Sequence, residues 1–316
     1  MPDVRLGILP WNQATDWPAA ESAARRIDEL GYDHIWAWDH LHAIFGDPDQ
    51  PIFEGWMMLA AWAKVTRRAR LGLLVGAVTF RNPGVVAKLV TTLDHVSDGR
   101  AILGLGGAWF EHEHVAHGID FGRSVGERLD WMHEALGAVR TVLDGGSATS
   151  PEDGHYQFKD LRQLPVPQQS HLPIMIGGAG EKKTLRSVAM YADMWNVMGT
   201  VETLQRKLDV LREHCDAVGR DIGEIELTVG CKPIIRDTVA EAQRVWESQM
   251  EHNRTPMSEV LDDETFWIDT PDGIAERMRA CRELGFNTFI AEMAAPYDTE
   301  TIERWIGEVK PMVEAG

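Results

Sequence analysis

Short apolar runs alternate with longer amphipathic stretches along the whole chain, the pattern of repeated strand–helix units. Residues 4–9 read as a strand. Ala20, Ala23, Ala24, Ile27 and Leu30 then recur at helical spacing, and Gly31 follows as a stop. The same rhythm predicts strands over 34–38, 70–75, 101–105, 173–176, 193–198, within 225–235, and over 287–291. Helices are predicted between them. One covers 54–66, and one opens at Pro83 with Val85, Val86, Leu89, Val90, Leu93 and Val96 as its apolar stripe. Another shows a face of Val125, Leu129, Met132, Leu136 and Val139, and further helices cover 182–191, 204–218 and 272–284. On the last one, Ile302, Trp305, Ile306 and Val309 face inward.

Two stretches break the rhythm. Residues 144–169 are rich in Gly, Pro and Ser around His155-Tyr156-Gln157-Phe158, and an insertion with a small hairpin is expected there. Residues 240–267 are less regular and read as a second insertion. No linker is visible, so 1–316 is expected to be one domain. Eight strand-then-helix units imply a parallel sheet with right-handed crossovers, and their number suggests closure into a (β/α)8 barrel of the α/β class. An open, doubly wound sheet is the alternative.

Composition narrows the functions. The chain has 316 residues and is 44% hydrophobic, enough for one large core. Its net charge of −18 is spread along the chain, a field that argues against nucleic acid and anionic membranes as partners. An anionic cofactor stays possible, because backbone dipoles and a few cations dominate at short range. Cys215, Cys231 and Cys281 form no CxxC pair, which argues against a disulfide framework or a cysteine zinc site. The first residues do not read as a signal peptide and no apolar run is long enough to span a membrane, so a cytoplasmic protein is expected.

In a barrel, chemistry sits where the strands end. The second strand ends in Asp39-His40, where the carboxylate could position a cofactor and the imidazole could move a proton; a helix cap and a surface histidine are the plain alternative. After the fourth strand, Gly104 to Phe110 is glycine-rich but fails as a dinucleotide fingerprint, because Trp109 stands at the third glycine position. After the fifth strand, Gly177, Gly178, Ala179 and Gly180 lead directly into a helix, an arrangement that aims free amides at one point as an anion cradle. Lys182, Lys183 and Arg186 are candidates to add charge. His112, Glu113, His114 and His117 have spacing that zinc could use, yet no carboxylate cluster at other strand ends matches them, and no metal is expected. Among the 12 tryptophans, Trp11, Trp38, Trp56, Trp109 and Trp195 lie at or near strand ends and are candidate walls for a planar cofactor and an apolar substrate, with Trp11, Trp109 and Trp195 assigned to the substrate pocket.

Four segments together resemble the luciferase-like monooxygenase superfamily, and within it the F420-dependent oxidoreductases: 36–41, 71–88, 93–114 and 173–196. The resemblance implies a (β/α)8 barrel that moves a hydride with the deazaflavin coenzyme F420, or alternatively with FMN, acting on a small-molecule substrate. It implies that Asp39 contacts the ring and that His40 is the proton donor or acceptor beside it. It places a non-proline cis peptide at Leu74–Val75, cofactor contacts at Gly107, Ala108 and His112, and the phosphate-holding turn at Ala179, Gly180, Lys182 and Lys183. Relatives often pair through barrel helices, which implies a homodimer. Sugar-phosphate dehydrogenases of the family carry a catalytic glutamate where this chain has Trp109, so that substrate class is not expected and the second catalytic group is left unassigned. The competing readings are an oxygen-using FMN monooxygenase, a metal-dependent barrel hydrolase and a non-catalytic cofactor-binding barrel.

Overall fold

The computed structural model describes residues 3–315. Eight parallel strands are arranged in chain order: β1 (Arg5–Pro10), β2 (His34–Ala37), β3 (Arg70–Leu73), β4 (Ala101–Gly106), β5 (Ile174–Gly177), β6 (Met194–Val197), β7 (Glu226–Ile235) and β8 (Thr288–Met293). Each pairs with its neighbours in sequence, and β8 also pairs with β1, so the sheet closes on itself. Closure rules out the open doubly wound sheet. The helices α1 (Trp17–Leu30), α2 (Gly55–Val65), α3 (Pro83–Val96), α4 (Glu111–His117), α5 (Val125–Leu143), α6 (Thr184–Tyr191), α7 (Val201–Val218), α8 (Val239–His252) and α9 (Pro271–Glu283) follow their strands around it.

Local chemistry starts and stops these elements. The Asp16 side chain accepts from the Ala19 amide, Pro18 sits in the first turn of α1, and Gly31 ends that helix at φ 93°, a left-handed conformation that glycine reaches without a Cβ penalty. Strand alternation then sorts side chains into two layers. On β8, Phe289, Ala291 and Met293 pack under the helices, while Ile290 and Glu292 turn into the barrel. Trp36, Ile102, Met175, Met194 and Ile290 fill the interior, so the barrel is a packed core and free space is confined to the mouth.

Three features of the connections matter. The third strand ends at Leu73, is followed by the non-proline cis bond Leu74–Val75, and resumes as Gly76–Ala77 against β4. The 144–169 stretch does contain a hairpin, a two-residue antiparallel pair of Ser147–Ala148 with Leu161–Arg162. The 240–267 stretch is not irregular: α8 occupies most of its first half, and Phe266–Asp269 adds a parallel strand beside β7. Ala242, Trp246 and Met250, four residues apart, are the buried stripe that fixes α8, and Thr238 with Glu241 caps its start.

Candidate active site

A cavity of about 590 Å³ opens at the C-terminal mouth of the barrel. Its wall takes Trp38, Asp39 and His40 from beyond β2, Leu74 and Val75 from beyond β3, and Gly106 to Trp109 from β4 and its loop. Gly177 to Gly180 close the side after β5, Asn196 to Met198 the side after β6, and Glu292 comes from β8. Phe45, Glu113, Val125 and Leu129 complete it from loops and helices. The 39–40 pair and the 177–180 turn, far apart in sequence, therefore open into one space.

His40 is oriented by a residue that the sequence reading treated only as part of a metal-like cluster. Glu113 on α4 is buried, and its two carboxylate oxygens accept from His40 Nδ1 at 2.9 Å and from the Leu41 amide at 2.8 Å. An acceptor at Nδ1 places the proton there and leaves Nε2 for the cavity side. The Trp109 ring meets the imidazole edge-on, with centroids 5.5 Å apart.

Asp39 lines the cavity, but its oxygens are taken by protein donors: Arg81 Nη1 at 2.7 and 2.9 Å, and the Ala77 amide at 2.9 Å. Burial pushes its carboxyl up from the ordinary range, against the pull of Arg81 and of the Ala77 amide. Arg81 also binds Glu54 at 2.8 Å and is held above its usual value by its two carboxylates. Asp39 thus anchors the turn after β3, where Leu74 and Val75 project into the mouth.

The glycines divide into two jobs. A Cβ on Gly106 or Gly177 would come within 2.6 or 2.9 Å of the Val75 side chain, so these two seat Val75. A ligand's backbone approach is left to Gly107, Ala108 and 178–180, with Ala108 held at φ 57°. Among the described residues none accepts from the amides of Ala179 or Gly180, and no side chain caps the start of α6. That cradle suits an anionic tail.

The two lysines behave differently. Lys183 is drawn away to Asp130 at 2.6 Å and to the Gly126 carbonyl at 2.9 Å, and does not line the cavity. Lys182 is exposed and does not line it either. Nor does His112, which sits exposed against His42.

Of the candidate tryptophans, Trp38 and Trp109 are on the wall, and Trp56 is buried on α2 away from it. Trp11 is fully buried behind Phe45, stacked on it at 4.2 Å. Trp195 faces the helices because it lies one residue out of phase with the inward positions of β6, and its indole donates to the Gly178 carbonyl at 2.9 Å. Phe45, of which nothing was expected, joins Trp38 and Trp109 in the wall. Neighbouring members of the HEHVAH run point apart: Glu113 and His114 turn inward, His114 to Thr79 at 2.7 Å, while His112 and His117 stay outside with His42. Among the described residues no cluster is placed to hold a metal ion.

Glu292 was missed entirely. It is 8% exposed, faces the cavity, and is pushed above the ordinary carboxylate range by burial, with Lys232 and His40 pulling down and Asp263 pushing up. Its signal in the sequence is a lone charge inside the apolar run 288–295.

A family model described as luciferase-like monooxygenase matches residues 7–288. An uncharacterized protein of Mycobacterium tuberculosis is 30% identical over 220 residues, covering 65% of this chain and 75% of that protein. An F420-dependent secondary alcohol dehydrogenase, solved with an F420–acetone adduct, superposes with a TM-score of 0.83 at 20% identity over 99% of both chains. The oxygenating constituent of 3,6-diketocamphane monooxygenase from Pseudomonas putida, solved with FMN, superposes with a TM-score of 0.71 at 17% identity over 98% of this chain and 99% of that one. At these identities the two structures establish the shared fold alone.

Proposed function

The chain belongs to the luciferase-like monooxygenase family, and from that premise we propose that it transfers a hydride between the deazaflavin coenzyme F420 and a small organic substrate, with His40 giving or taking the proton. The observation that carries this reading is that the 39–40 pair and the 177–180 turn share one cavity. The shared fold serves F420 and FMN proteins alike, so the choice of deazaflavin rests on the four segments that resemble the F420 branch.

The residues present fit such a cofactor. The amides of Ala179 and Gly180, unpaired among the described residues in the turn ahead of α6, suit a phosphate, and Val75, Leu74 and Ala108 offer an apolar seat for a flat ring. When bound, the cofactor supplies a two-electron hydride step. The protein's part is placement and proton handling. Glu113 fixes the imidazole so that Nε2 is the acid or base on the cavity side. Trp38, Phe45 and Trp109 line the reacting space with aromatic surface.

Parallel titrations of the purified protein with F420 and FMN test the proposal. Tighter binding of F420, with turnover lost in His40→Ala, is the expected result. A clear preference for FMN overturns the cofactor assignment.

A further inference from the structure

Glu292 is a buried carboxyl without a hydrogen-bond partner among the described residues. It stands near the C-terminal end of β8, where strand alternation turns it into the barrel, and it is 8% exposed on the cavity wall. Among the described residues none donates it a hydrogen bond or forms an ion pair with it. The obvious counter-ion is already engaged. Lys232 lies beside it on β7, but its ammonium binds Asp263 at 3.2 Å and Thr265 at 2.5 Å, and it sits over the rings of Phe45 and Phe266. A structural carboxyl this deep would be bonded, as Asp39 is to Arg81 and Glu113 is to His40. Glu292 instead keeps its bonding capacity for the space that a ligand enters, and His40 faces the same space.

We infer that Glu292 is the substrate-anchoring, specificity-determining group of this cavity, holding by hydrogen bond the oxygen of a small, neutral alcohol or of the carbonyl compound paired with it. A neutral carboxyl presents an O–H donor and a carbonyl acceptor side by side. It therefore serves both members of such a couple: the alcohol hydroxyl donates to it, and the carbonyl oxygen accepts from it. Burial, which pushes this carboxyl up, favours the neutral form. The body of the ligand would lie against Trp38, Phe45 and Trp109, so an apolar skeleton with one oxygen function is the matching class. The choice of an alcohol–carbonyl couple rests on the hydride-transfer reading. The role of the carboxyl as a hydrogen-bonding anchor does not.

The test uses the full chain, free and saturated with F420, and isothermal titration with three probes of similar size: cyclohexanol, cyclohexanone and methylcyclohexane, which has no oxygen. The affinity of the alcohol and of the ketone, each relative to that of the hydrocarbon, is expected to be about tenfold higher in wild type than in a variant without the carboxyl, given one hydrogen bond between them. Glu292→Gln, which keeps a donor and an acceptor, retains the wild-type gap. Glu292→Leu and Glu292→Met narrow it by that factor while their thermal midpoints stay at or above that of wild type and their F420 affinity is unchanged. Two hydrophobic variants guard against one failing to fold. An alcohol–hydrocarbon gap as wide in either folded variant as in wild type overturns the inference. If F420 fails to bind at all, the cofactor proposal falls, and the gap measured on the free protein still decides the role of Glu292.

Discussion

Glu113 reaches from α4 to His40, 73 positions away in sequence, and fixes its Nδ1 at 2.9 Å while the second carboxylate oxygen holds the Leu41 amide. The side chain that could move a proton is thus oriented by a buried acid that also pins the backbone beside it. The ring is held from two directions, and its free nitrogen is defined.

Glu113→Gln tests that arrangement. The amide can satisfy the Leu41 amide with its oxygen only by turning its NH2 toward His40, which forces the imidazole into the opposite tautomer. Turnover is expected to fall by about 10²–10⁴-fold, the range of general acid–base catalysis, with cofactor affinity held within a factor of about 3, since the cradle amides are untouched. Nitrogen NMR of the histidine rings reads the tautomer directly. Loss of turnover with no tautomer change would show that Glu113 acts through the backbone alone.

The contact of Val75 with Gly106 and Gly177 gives a second prediction. A methyl at Gly177 would lie 2.9 Å from the Val75 side chain, with no other atom as close. Gly177→Ala must push Val75 into the mouth. The expected cost is about 1–3 kcal/mol of stability, together with weakened cofactor binding. Val75→Ala in the same chain removes the clash and restores most of both losses. Equal losses in the single and double variants would mean that the glycine is needed for something other than seating Val75.

Asp39 yields a third. Asp39→Ala leaves Arg81 half-buried with Glu54 as its remaining carboxylate and strips the Ala77 amide of its acceptor. Breaking a buried pair from one side costs about 3–5 kcal/mol, and the surviving Glu54 contact places this variant near the lower end. Urea unfolding measures it. A variant as stable as wild type that has lost cofactor binding would return Asp39 to the direct ligand role implied by the family resemblance.

The barrel was legible because its signal is periodic: each apolar run is a buried strand, and each amphipathic stretch covers it. The site was legible where its chemistry is local. Asp39 and His40 are adjacent in sequence, and the glycines of 177–180 stand three residues ahead of α6. What could not be read was pairing between strands and helices far apart, such as His40 with Glu113 or Asp39 with Arg81. Trp195 shows the limit of position alone: it lies on the strand that supplies Asn196 and Val197 to the wall, yet it faces the helices. Two signals were present in the sequence but unused, the Thr238–Glu241 capping pair that opens α8 and the single acid of the apolar run in β8.

The last prediction concerns acid stability and lies at the opposite end of the barrel. His34 begins β2, is buried beside Trp36 with no partner for its Nδ1 among the described residues, and is driven down to about 3 by burial first and then by Arg70 and Arg5. In the unfolded chain a histidine titrates near 6.5. Between about 3 and 6.5 the unfolded state therefore holds a proton that the folded state refuses, so stability falls as pH drops through this window and is unaffected above it. The slope is about 1.4 kcal/mol per pH unit, which makes roughly 2 kcal/mol between pH 7 and pH 5. His34→Leu cannot take up that proton in either state. Its urea-unfolding free energy is expected to change less between pH 7 and pH 5 than that of wild type, by about this amount. An equal change in both proteins would mean that His34 binds its proton in the folded barrel as readily as in the unfolded chain.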